Sequence, residues 1–169
     1  MSPADEPRDP VGEPSRDQID AMREPTVIEF GAAYCGHCRA AQPLIKALQE
    51  AWPDRRILLT GMTPTGRAAG SEVYGGQVIQ AYLPYDYPGA VDRFFRHFSP
   101  DFGVLMETEI WPNLLAGAKA QGIPVILANA RLSERSARGY GKLPALARPA
   151  FGALRTVAAQ TPGDAARIG

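Results

Sequence analysis

The feature that most constrains this chain is a repeated alternation. Short, nearly unbroken apolar runs are each followed by a stretch with helical spacing. The runs fall at Thr26–Ala32, Ile57–Thr60, Val78–Leu83, Phe102–Glu107, Val125–Ala128 and Thr156–Ala159. A strand that is apolar on both faces is buried on both faces, which is the condition of a central strand in a parallel sheet. The stretches between the runs carry the complementary signal. From Cys38 to Trp52, residues Ala41, Leu44, Ile45, Leu48 and Trp52 recur on one helical face. From Gly89 to Phe98, residues Val91, Phe94, Phe95 and Phe98 do the same. Parallel neighbours need a crossover, and crossovers are right-handed. The pattern therefore predicts one α/β domain over residues 15–169, a parallel sheet flanked by helices, and Rossmann-like order is expected as the common topology of such sheets. Such sheets bind ligands beyond the C-terminal ends of their strands. That places the weight of function on four loops: 33–38, 61–67, 107–112 and 129–135.

Local punctuation refines the boundaries. Ser15 and Gln18 form a capping box for a short helix to Arg23, stopped by Pro25. Pro43 is expected to kink the Cys38–Trp52 helix. A short helix is expected over Arg67–Tyr74, another opens near Pro112, and Gly122 ends it. Met1–Pro14 holds four prolines and five charged residues with almost nothing apolar, which predicts a disordered tail.

Charge narrows the function classes. Lysine plus arginine and aspartate plus glutamate each number 18, so no net field recruits nucleic acid. No apolar run reaches the length of a membrane span, and the N-terminus lacks a charged-then-apolar leader. A cytoplasmic protein is expected.

Three groups of residues stand out chemically. Cys35 and Cys38 form a C-x-x-C pair at a helix start, where unpaired N–H groups and the helix dipole stabilise a thiolate. A structural zinc needs four ligands; His37 and His97 are the only histidines, so no metal site is expected. Glu107 and Glu109 flank Thr108 at a strand end beside Trp111, where packing does not require carboxylates. Thr63, Thr65 and Arg67 lie in a Gly-bounded loop feeding a helix N-terminus, a cradle for an anionic group. The plainer alternative for each is a solvated loop residue or a helix cap.

Two family resemblances run through these residues. Glu29-Phe30-Gly31-Ala32-Ala33-Tyr34-Cys35-Gly36-His37-Cys38, with Pro43 beyond, resembles the thioredoxin active site over about residues 15–50. It implies Cys35 as attacking thiolate, Cys38 as resolving thiol and His37 as favouring the reduced form. The family's later cis-proline strand and closing antiparallel hairpin have no counterpart downstream. The second resemblance covers about residues 39–169. It rests on Met62-Thr63-Pro64-Thr65-Gly66-Arg67, Tyr82-Leu83-Pro84-Tyr85-Asp86, Met106-Glu107-Thr108-Glu109-Ile110-Trp111-Pro112-Asn113, Ala128-Asn129-Ala130-Arg131-Leu132-Ser133-Glu134-Arg135-Ser136 and Ala159-Gln160-Thr161. These motifs resemble the N-terminal domain of 3-deoxy-D-manno-octulosonic acid (Kdo) transferase. That family has the GT-B architecture and transfers Kdo from CMP-Kdo to lipid A precursor at the cytoplasmic face of the inner membrane.

The second resemblance implies Arg67 and Glu109 as the foremost acceptor-side or catalytic contacts, with Glu107, Thr63 and Thr65 beside them. It implies no cofactor. It also implies possible peripheral membrane contact. The family's base glutamate aligns with His37 in Tyr34-Cys35-Gly36-His37-Cys38-Arg39-Ala40-Ala41, and a histidine can act as a base near neutral pH. The donor-binding domain and the membrane anchor are expected to fall outside this chain. Three readings follow: an acceptor-binding domain inactive alone, a thiol–disulfide oxidoreductase, or a non-catalytic chimeric remnant.

Overall fold

The computed structural model describes residues 26–30, 35–107 and 110–168, with side chains from residue 42 onward. The expected tail Met1–Pro14 and helix Ser15–Arg23 lie outside the described residues.

Six strands alternate with helices. They are β1 (Thr26–Phe30), β2 (Arg56–Gly61), β3 (Ile79–Tyr82), β4 (Phe102–Met106), β5 (Val125–Ala130) and β6 (Leu154–Ala159). The helices are α1 (Cys35–Ala51), α2 (Pro64–Tyr74), α3 (Pro88–Phe98), α4 (Pro112–Ala120), α5 (Glu134–Gly141), α6 (Pro144–Phe151) and α7 (Pro162–Ile168). The sheet order is β3-β2-β1-β4-β5-β6, and all five pairings are parallel. This is the Rossmann order expected as the common topology of such sheets.

Side chains alternate across the pleat and divide the core in two. Ile57 and Leu59 of β2 and Val104 and Met106 of β4 meet Ile45 and Leu48 of α1 and Tyr74 of α2. Leu58 and Leu105, one residue out of phase, face the opposite way. They join Val91, Phe94 and Phe95 of α3 and Leu114, Leu115 and Ala118 of α4. The result is a three-layer α/β/α sandwich in which β2 and β4 are covered on both faces.

Some boundaries differ from the sequence reading, each for a local reason. Helix α1 opens at Cys35 rather than Cys38 and ends at Ala51. Trp52 thus falls past the last turn. It is 43% exposed and sits edge-on to Phe102 at 5.4 Å, so it is not part of the expected buried face. Helix α2 begins at Pro64, not Arg67, because Thr63 caps it and Pro64 fits the first helical position. Strand β5 runs two residues further than expected, to Ala130, and β6 starts two earlier, at Leu154.

The α3–α4 contact is set by a glycine. A Cβ on Gly117 would lie 2.5 Å from Val91 Cγ1 and 3.5 Å from the Phe95 ring, inside van der Waals contact. Val91 is buried and β-branched and has little room to give. Gly117→Val is therefore expected to destabilise the domain by about 1–3 kcal/mol through overpacking. A urea titration should show a lower midpoint with little change in slope.

Candidate functional site

In a sheet of this order the crevice for ligands opens where successive connections run in opposite directions, beside the C-terminal ends of β1 and β4. The 31–34 connection lies outside the described residues. Helix α1 brings Cys35, His37 and Cys38 into its first turn on this edge. Their side chains lie outside the described residues, as do Thr108 and Glu109.

Glu107 is the first residue past β4. Its N–H donates to Ala128 O at 3.0 Å, and its φ is +60°, the left-handed region. A straight-chain residue is rarely held there.

The Thr63–Arg67 stretch takes a different form from the expected open loop. Thr63 Oγ1 accepts the Gly66 N–H at 3.0 Å, and Thr63 O accepts the Arg67 N–H at 3.1 Å. Pro64 has no N–H. Most of the helix-start donors that would hold an anion are thus already engaged or missing. Thr63 is a cap, and Thr65 is exposed in the first turn of α2. Arg67 is inside the helix and only 2% exposed. Its guanidinium lies 4.5 Å from the centre of the Tyr82 ring, at the end of β3. A cation over an aromatic face is attracted by the ring quadrupole, more strongly where water is excluded. Gln80 supports this region. With its amide set to satisfy its neighbours, it donates to Arg67 O at 2.9 Å and accepts from Ser71 N at 3.0 Å.

Two aspartates the sequence reading did not single out hold the loops of this edge. Asp86 lies in the loop after β3 and reaches α4. Its Oδ1 accepts the Leu114 N–H at 2.8 Å, and its Oδ2 accepts the Asn113 N–H at 3.1 Å. Asn113 Nδ2 donates in return to Asp86 O at 2.6 Å. A carboxylate from a distant loop thus caps α4, whose own preceding residue, Trp111, supplies no side-chain cap.

Asp164 of α7 does the equivalent for the loop after β5. It is 5% exposed. It accepts from Thr161 Oγ1 at 2.5 Å, from Leu132 N at 2.9 Å and from Arg167 Nη2 at 2.9 Å. Arg167 Nε also donates to Leu132 O. The Thr161 hydroxyl, then the Leu132 N–H and Arg167, hold the Asp164 carboxyl down to about 2. A depressed carboxyl contributes stability above its ordinary pKa, near 3.9, and that contribution disappears as pH falls through the folded value. The stability gap between the native chain and Asp164→Asn is thus expected to be constant above about pH 5 and to shrink toward pH 2. Denaturation at a series of pH values measures it.

Among the described residues, no group of three or more His, Cys, Asp and Glu side chains could hold a metal ion. Nor is any described helix long and apolar enough to cross a membrane.

The fold has counterparts among solved structures. The chain superimposes on UDP-GlcNAc 2-epimerase from Neisseria meningitidis with a TM-score of 0.59, at 15% identity over 85% of this chain and 42% of that one. It superimposes on Acinetobacter baumannii MurG with a TM-score of 0.55, at 13% identity over 83% and 42% respectively. At these identities the likeness defines an architecture, the half-molecule sandwich of GT-B glycosyltransferases and related epimerases.

Sequence relatives define the family. Residues 11–169 match the 3-deoxy-D-manno-octulosonic-acid transferase (kdotransferase) family, and the chain belongs to it. It is 49% identical to the 3-deoxy-D-manno-octulosonic acid transferase of Bordetella pertussis over 142 residues, 81% of this chain and 33% of the relative. It is 40% identical to that of Haemophilus influenzae over 136 residues, 80% of this chain and 32% of the relative. The chain therefore spans about a third of the length of these relatives. The family match begins at residue 11, not near 39, and so includes Thr26–Leu48 and its C-x-x-C pair. The sheet around that pair is parallel throughout the described residues, without the antiparallel hairpin of a thioredoxin fold.

Proposed function

We propose that this chain is the acceptor-side domain of a Kdo transferase and binds lipid A precursor at the C-terminal edge of its sheet. The observation that carries this reading is that the Thr63–Arg67 segment after β2 and Glu107 after β4 lie at the same end of one parallel sheet, in a chain whose family match runs through both. Glu109, two residues beyond Glu107 in sequence, belongs to the same site on this reading.

His37 stands in the first turn of α1, one strand away from the β4 loop, and by the motif resemblance it takes the place of the family's base glutamate. In the proposed reaction the acceptor hydroxyl gives its proton to the imidazole as its oxygen bonds to the anomeric carbon of Kdo. The bond from that carbon to the CMP phosphate breaks, and CMP leaves with the electron pair. CMP-Kdo is held by the remainder of the transferase, so this chain alone binds acceptor without turning it over. The location that follows is the cytoplasmic face of the inner membrane. Tyr85 and Tyr87, 73% and 69% exposed, precede α3 and suit a membrane–water interface.

Binding of lipid A precursor in detergent micelles, followed by tryptophan fluorescence, tests the proposal. Glu109→Ala should weaken the affinity at least about tenfold, the loss of one hydrogen bond to a charged group. Equal affinity in the two chains would count against the site.

A further inference from the structure

Three described residues other than glycine have a positive φ: Ser99, Glu107 and Asn129. Ser99 is explained by its position, since it is the left-handed residue that terminates α3. The other two share a level of the sheet. Met106 pairs with Ala128 in the β4–β5 register, so Glu107 and Asn129 stand side by side one residue further on. Their φ values are +60° and +52°. Adjacent parallel strands are about 4.8 Å apart, which brings the two main chains within reach of one small ligand.

Asn129 also sits at an irregularity. Leu127 pairs with Val157 and Ala130 with Ala159, so β5 spends three residues where β6 spends two. Extra residues of this kind re-aim a side chain and are common beside active sites. Asn129 is exposed although it lies within β5, and its carbonyl accepts from Gln160 Nε2 at 3.3 Å, which holds the irregular backbone. Backbone strain persists where the surrounding fold over-determines it, and it concentrates at functional sites.

We propose that Asn129 is an acceptor-contact residue that works with Glu107: the paired carboxylate and carboxamide bind adjacent hydroxyls of the acceptor sugar. A carboxylate accepts from two hydroxyls, and a carboxamide both donates and accepts, so the pair suits the mixed donor–acceptor character of a sugar diol. This assignment rests on the acceptor reading above and adds a residue that the motif resemblance leaves without a role.

Glycine adopts the left-handed region without the steric penalty of a Cβ. Glu107→Gly and Asn129→Gly therefore remove the side chains while easing the backbone. Asn129→Gly is expected to keep or raise its urea midpoint, and both variants are expected to bind lipid A precursor micelles at least about tenfold more weakly than the native chain. An Asn129→Gly chain that binds as tightly as the native chain would overturn the assignment and leave the acceptor reading standing, whereas a Glu107→Gly chain that does so would overturn both. A lowered midpoint in Asn129→Gly would show that the Asn129 side chain serves the fold, and would equally overturn the assignment. A native chain that does not bind the micelles would overturn the acceptor reading and this assignment with it.

Discussion

Phe95→Ala is expected to remove about 3–5 kcal/mol of stability, the range for deleting a buried aromatic side chain from a close-packed core. Phe95 is 1% exposed and lies where three elements meet. Its ring stands edge-on to Phe94 at 5.7 Å, and Gly117 of α4 is seated against it. Leu114 and Leu115 of α4, Leu105 of β4 and Leu127 of β5 belong to the same buried cluster. A domain of ordinary stability, about 5–15 kcal/mol, would lose a large part of it. Urea denaturation of the two chains measures the loss. Trp52→Ala is the internal comparison. Its ring is 43% exposed, so it leaves no closed cavity, and its midpoint should fall much less.

The second large effect is on chemistry. Grafted onto the remaining two thirds of the Bordetella pertussis relative, this domain is expected to lose about 10²–10⁴-fold in kcat on His37→Ala, the usual contribution of a positioned general base. His37→Glu should restore turnover, since it places the family's carboxylate in the first turn of α1. If His37→Ala transferred Kdo as fast as the native graft, His37 would not be the base. Single-turnover measurement with CMP-Kdo and lipid A precursor separates the chemical step from binding.

Much of the architecture was legible in the sequence because the relevant signals are local. Unbroken apolar runs marked buried parallel strands, and the spacing of Val91, Phe94 and Phe95 marked the core face of α3. The strand order followed from the general behaviour of such sheets. The start of α2 is also written locally, as Thr63 before Pro64, although the Gly-bounded Thr63–Arg67 stretch reads as a loop.

What the sequence could not show depends on distant contacts. Nothing near Asp86 indicates that it caps a helix 27 residues away, because that role exists only once β3 and α4 are neighbours. Arg67 has the composition of a solvated residue, and only the end of β3 reveals that its guanidinium is buried over Tyr82. Asp164 is an unremarkable helical acid until the loop after β5 donates to it. Asn129 belongs to the 129–135 stretch that the sequence marks as a ligand loop, but its significance comes from the register that sets it beside Glu107.

The most direct test of the acceptor reading is to map where the acceptor binds. Lipid A precursor micelles titrated into isotopically labelled chain should shift backbone amide resonances around residues 63–67, 107–111 and 129–133, the C-terminal edge of β2, β4 and β5. Shifts gathered instead at Trp52, Arg55, Asp101 and Arg155, which line a pocket away from those loops, would contradict it, as would the absence of shifts altogether.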